Sequence, residues 1–189
     1  MGPFYIGQYG VSEKSERQLR SFFKPLIARG LSPVSCTVDG NPQAIRVLKA
    51  LWPEVIIQRC LVHVQRQGLM WCRRYPKTAM GRELRIIFLQ VTGIRTKEER
   101  DQFLESVEPR PEKGRVFSDM KRARSMLIKA LPYMFHYLDD PNIPFTTNGL
   151  EGYFSRLKGH YRQHRGLRKE NLIATLIGIS ITDLNSTYS

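Results

Sequence analysis

At 189 residues the chain is long enough for one well-filled core, or for one domain carrying an insertion. Its 41% apolar and 25% charged content, with no Gly/Ser-rich or Pro-rich tract, excludes a linker or low-complexity protein. The 30 Lys and Arg against 17 Asp and Glu leave a formal charge of +13 at pH 7, which points to a polyanionic partner, nucleic acid before anionic membrane, and specifies no chemistry.

No apolar run nears the roughly 20 residues that span a bilayer, so membrane insertion is not expected. Cys36, Cys60 and Cys72 are an odd set, behind an opening Met1-Gly2-Pro3-Phe4 without a charged n-region or apolar h-region. They predict a reduced, intracellular protein, cytoplasmic in location.

Aromatic residues 4–9, ending at Gly10, read as a first strand. Ser12 is a cap candidate for a helix with Leu19, Phe22, Phe23, Leu26 and Ile27 at helical spacing; Gly30 stops it, and Pro25 is expected to kink or split it. Residues 34–38 form the next strand, and Asn41-Pro42 opens a helix with a cap residue and Pro at its first position. Trp52-Pro53 ends that helix, and Val55-Ile56-Ile57 leads as a third strand straight into Arg59-Cys60-Leu61-Val62-His63. Strand, helix, strand, helix is the pattern of a parallel βαβ unit.

Between residues 77 and 140 the texture turns to charged amphipathic helices, predicted over 82–91, 96–107 with a Thr96-x-x-Glu99 capping box, and 116–131. Pro141 and Pro144 close this stretch. A helix from about Asn148 through Tyr161 comes next, then a basic turn at Gly166 and an apolar helix over 171–184. The expected organisation is therefore an N-terminal core segment over 1–76, an all-helical insertion over 77–140 and C-terminal core helices over 141–189.

Ligands of open α/β sheets bind beyond the carboxyl ends of parallel strands, and Asp39 sits at such an end with Gly40 behind it. It suits a metal ligand, although an isolated Asp-Gly after a strand is more often a turn or cap Asp. Glu151, three residues after Asn148, fits a capping box; it also shares a helix face with Ser155, Lys158, Arg162 and Arg165, opposite a seam of Leu150, Phe154, Leu157 and Tyr161. A carboxylate flanked by cations is what a metal site beside a phosphate backbone needs. Cys60-x-x-His63 lacks the second pair that structural zinc requires, so the pair reads as a buried helix-start thiol with a partly satisfied His. The run from His160 to Lys169, with Arg162, Arg165 and Arg168 around Tyr161, suits phosphate contacts and stacking, or a solvated helix end.

Taken together, Val38-Asp39-Gly40-Asn41, Ala44-Ile45, Trp52-Pro53-Glu54, residues 58–66 and Thr146-Thr147-Asn148-Gly149-Leu150-Glu151 resemble the Mutator-like transposases and their bacterial insertion-sequence relatives. That resemblance implies a ribonuclease H-like α/β core with strands ordered 3-2-1-4-5, an all-helical insertion, and an Asp-Asp-Glu triad binding two Mg²⁺ or Mn²⁺ ions. By similarity Asp39 is the second carboxylate and Glu151 the third, both catalytic and metal-binding; Cys60 and His63 match an accessory motif; Lys158, Arg162, Arg165 and Arg168 are candidate DNA contacts.

The first Asp has no counterpart, because the only acidic residues before Val38 are Glu13 and Glu16. The expectation is thus a partial core whose first two strands are missing, with an open sheet edge beside Asp39, inactive alone in metal-dependent cleavage and strand transfer. Its partners would be DNA, further copies of itself or a full-length transposase. The alternative is a non-enzymatic basic DNA-binding module or a regulator of a full-length transposase.

Overall fold

The computed structural model describes residues 4–5, 16–107 and 118–163. Backbone contacts divide the chain into two units, Met1–Thr147 and Asn148–Ser189. Among the described residues of the first, three parallel strands alternate with helices in a helix-rich α/β arrangement: β1 (Phe4–Tyr5), α1 (Glu16–Ala28), β2 (Ser35–Val38), α2 (Pro42–Leu51) and β3 (Ile56–Arg59). Helices α3 (Leu61–Cys72), α4 (Ala79–Gln90), α5 (Lys97–Val107) and α6 (Ser118–Ala130) come after them, then two short 3-10 turns. The described part of the second unit is helix α7 (Asn148–Gln163).

Local chemistry sets most of these boundaries. Asn41 caps α2 by accepting from the Gln43 and Ala44 N–H groups at 2.9 and 3.2 Å, and Pro42 fills the first helical position, where no N–H is needed. The box before α5 is reciprocal: the Glu99 N–H donates to Thr96 Oγ1 at 3.1 Å, and the Thr96 N–H donates to Glu99 Oε2 at 3.2 Å. Helix α4 starts earlier than its apolar periodicity predicts, because Thr78 accepts from the Gly81 N–H and so caps a turn with little patterning. Pro25 does not split its helix; α1 continues through it to Ala28, and Gly30 comes just after at φ +88°.

The sheet order is β1-β2-β3, and it corrects one expectation. The first strand is not held apart from the other two: Phe4 pairs with Cys36 and Tyr5 with Thr37, so β2 is the central strand. Even this short ladder occupies backbone groups that an edge strand would leave unpaired. On the other side, Ser35 to Val38 run in register with Ile56 to Arg59.

Two apolar clusters divide the first unit. One joins Phe23 of α1, Cys36 and Val38 of β2, Val47 and Leu48 of α2, and Ile57 of β3. The other is built on α3, whose Leu61, Val64 and Cys72 meet Phe88 of α4, Phe103 of α5 and Leu127 of α6. Gly68 lets α3 and α4 approach closely, since a Cβ there would fall 2.3 Å from the Phe88 ring. The helices after residue 77 thus share a core with α3. Gln58 joins the two halves: fully buried on β3, it donates from Nε2 to the Met134 carbonyl at 2.8 Å.

Candidate functional site at the carboxyl ends of two strands

Because Val38 and Arg59 are register partners, Asp39 and Cys60 leave the sheet side by side at its carboxyl edge. The Cys60 N–H donates to the Val38 carbonyl at 2.8 Å, carrying the ladder one step past β3. Beyond that step the two strand ends diverge.

After β2 the chain turns outward. Asp39 is half-buried, its Oδ1 accepts from the Asn41 N–H at 3.1 Å, and Gly40 adopts φ +99°. Two pressures demand glycine there. The left-handed backbone disfavours a side chain, and a Cβ would lie 2.0 Å from the Arg59 guanidinium carbon. Arg59 is folded beneath this turn, only 9% exposed, and Nη2 donates to the Asp39 carbonyl at 3.2 Å. Burial pushes its pKa down, while the charges of Asp39 and Cys60 pull it back up.

After β3 the chain turns inward. Cys60 is fully buried at the N-cap position of α3, and its Sγ gathers partners from distant sequence. The Thr147 N–H and Oγ1 donate to it at 3.4 Å each, and His63 Nδ1 lies 3.1 Å away. Burial alone would raise the thiol; hydrogen bonds with His63 and Thr147 outweigh it and bring the pKa down from 9.0 to about 7. Two further bonds fix the same segment. The Leu61 N–H donates to the Phe145 carbonyl at 2.9 Å, and Thr37 Oγ1 donates to the Pro144 carbonyl at 2.6 Å. The Cys-x-x-His motif is therefore a buried clasp that ties residues 144–147 to the ends of β2 and β3.

The remaining candidates lie in the second unit or outside the described residues. Glu151 occupies the first turn of α7, where an acidic side chain suits the helix dipole, and it is partly exposed. Lys158 also belongs to α7, and Arg162 is exposed near its end. Arg165, Arg168, the Gly166 turn and the helix expected over 171–184 lie outside the described residues. Among the described residues no three His, Cys, Asp or Glu side chains are grouped so as to hold a metal ion. Asp39 supplies one hard oxygen donor at a strand end, but the described part of the first unit does not complete an ion-binding set.

Within the first unit, a Thr146-Thr147 pair held by a Cys-x-x-His clasp lies beside a strand-end Asp-Gly; the Asn-Gly-Leu-Glu that continues the motif belongs to the second unit. The sequence model of the family described as "Transposase, Mutator family" matches residues 6–189. The chain belongs to the Mutator family of transposases. Membership gives it a role in DNA transposition and makes DNA its partner. No curated protein and no solved structure gives a significant match. No helix among the described residues is long and apolar enough to cross a membrane.

Sequence reasoning missed Arg59 and Thr147 as members of this site. The signal for Arg59 was present: a cation directly after Val55-Ile56-Ile57-Gln58, where a buried strand ends. Thr147 gave no such signal, since its role depends on a thiol 87 positions away.

Proposed function

We propose that this transposase chain carries part of a ribonuclease H-like catalytic core, in which Asp39 and Glu151 are two of the carboxylates for metal-dependent DNA cleavage and strand transfer. The supporting observation is Asp39 itself: a half-buried carboxylate at the carboxyl end of the central strand, on a Gly turn, in a chain of this family. Mg²⁺ or Mn²⁺, as a pair when bound, would stabilise the attacking and leaving oxygens of an in-line displacement at phosphorus. Asp39 would supply oxygen ligands at the sheet edge and Glu151 from the first turn of α7. A further oxygen donor is required beyond these two, and the chain is proposed to be inactive in cleavage without it. Arg59 keeps a positive charge beneath the Asp39 turn, its Nη2 donating to the Asp39 carbonyl. Residues 77–140 are proposed as the insertion, and Cys60 and His63 as positioning residues that anchor the segment before α7.

The charge of +13 favours a second reading, a DNA-binding or regulatory role without cleavage. One experiment separates the two. The chain, joined to a segment that supplies the further carboxylate, is assayed on duplex DNA for Mg²⁺- or Mn²⁺-dependent nicking and joining, beside a binding titration, with Asp39→Asn in the same joined background in parallel. Nicking by the wild type that falls at least about a thousandfold in the variant, with DNA binding retained, is the expected result. Binding without nicking by either protein would favour the second reading. Equal nicking by both would remove Asp39 from the chemistry.

A further inference from the structure

A cleft of about 700 Å³ opens beside the Gly40 turn, lined by Arg46 of α2, Arg59 at the end of β3, and Lys121, Arg122 and Lys129 of α6. Among the described residues no acidic side chain lines it. Cations gathered around one concavity repel each other at a cost the fold has no structural reason to bear, unless an anion is bound there.

Arg59 gives the second, independent sign. It is buried on the cleft wall, and its Nε has no hydrogen-bond partner among the described residues. A buried guanidinium N–H without an acceptor is unfavourable, so an anionic oxygen arriving at this wall would meet a donor already desolvated and fixed. The counter-charges nearby do not neutralise the site. Glu16 pairs with Arg46 at 2.8 Å with both side chains well exposed, and Asp119 lies 3.8 Å from Arg122. Exposed pairs of this kind contribute little and yield readily to a polyanion.

The spacing favours a polymer over a small anion. Lys121, Ser125 and Lys129 recur every four residues, placing them on one face of α6. At 1.5 Å per residue they span about 12 Å, over which one strand of duplex DNA presents roughly three to four phosphates. A single phosphate would use one end of the row.

We propose that this cleft between α2, β3 and α6 is a binding site for the DNA phosphate backbone, with Arg46, Arg59, Lys121, Arg122 and Lys129 as its contacts. The assignment rests on DNA being the partner of the chain, but on no role for Asp39 or Glu151. It adds a contact surface in the first unit to the cations expected on and after α7.

The test measures affinity for a generic DNA duplex against salt concentration. It compares the full chain, the variant Lys121→Ala/Arg122→Ala/Lys129→Ala, and a control, Arg17→Ala/Arg20→Ala/Lys24→Ala, that removes the same charge from exposed positions of α1. The cleft variant should lose about three from the log–log salt slope and about tenfold or more in affinity at moderate salt. The control should lose less than one from the slope. Lys129→Gln alone should lose about one and serves if the triple variant fails to fold. A cleft variant with wild-type slope and affinity, or a control that loses as much, would overturn the site and leave the transposase reading standing. Absence of DNA binding by the wild type would sink both. An RNA duplex of equal length that displaces the DNA at lower concentration would overturn the assignment to DNA.

Discussion

The ends of β2 and β3 are neighbours in register, yet they are built on opposite plans. Past Val38 the side chains of Asp39 and Asn41 accept from N–H groups within three residues, Asn41 on Asp39 and Gln43 and Ala44 on Asn41. Past Arg59 it meets partners almost ninety residues away, with Thr147 on Cys60 and Phe145 on Leu61. The first end is partly open to solvent and carries the acid; the second is sealed and carries the thiol. Groups that must exchange ligands or substrate need solvent and local support. Groups that hold distant segments together need burial.

If the comparison holds, the largest loss of stability should come from the sealed end. Cys60→Ala removes the acceptor of the buried Thr147 N–H and Oγ1–H and a neighbour of His63, and should cost about 3 kcal/mol in denaturant unfolding. A cost below about 1 kcal/mol would show that the clasp holds nothing. The thiol gives a second readout. Cys36 is pushed up to about 11 by burial and Cys72 is raised as well, so thiolate absorbance near neutrality should report Cys60 alone, with a midpoint near pH 7. Its folded value lies below the ordinary 9.0. Its stabilisation, on the order of 2 kcal/mol, is therefore full above pH 9 and lost as the pH falls through 7. Cys60→Ala should flatten that dependence.

The same contrast explains what the sequence made legible. The cap at Asn41-Pro42, the Thr96 and Glu99 box, the strand–helix alternation and the position of Asp39 depend on neighbours a few residues apart, so pattern and spacing suffice to find them. Pairing of Phe4 with Cys36 was not legible, because strand order depends on which backbone edges meet, and no residue pattern in a two-residue strand specifies it. Nor was the cleft. Lys121, Arg122 and Lys129 look like the solvated face of an amphipathic helix until tertiary packing sets Arg46 and Arg59 opposite them.

Next in size is Gly40, which belongs to the open end but borrows from the closed one. Gly40→Ala forces a side chain onto a backbone at φ +99° and drives its Cβ into the Arg59 guanidinium, which is buried and has little room to withdraw. The expected cost is about 2 kcal/mol. A neutral result would mean that the turn relaxes without help from Arg59. Asn41→Ala should cost about 1 kcal/mol, the ordinary value of a lost cap, because its partners are exposed N–H groups that water can satisfy. A loss as large as that of Cys60→Ala would erase the distinction between the two ends.

The smallest expected effect is the most informative. Asp39→Asn keeps the shape of the side chain and an oxygen able to accept from the Asn41 N–H, so the turn has no reason to open. What the variant removes is a negative charge close to the buried Arg59, whose main-chain bond to the Asp39 carbonyl survives. The cost in unfolding should therefore stay under about 1 kcal/mol. Near-native stability with lost nicking would place Asp39 among groups kept for chemistry, against Cys60 kept for structure. A stability loss of several kcal/mol would instead make Asp39 the counter-charge that tolerates Arg59 in the interior, and the open end would prove as structural as its neighbour.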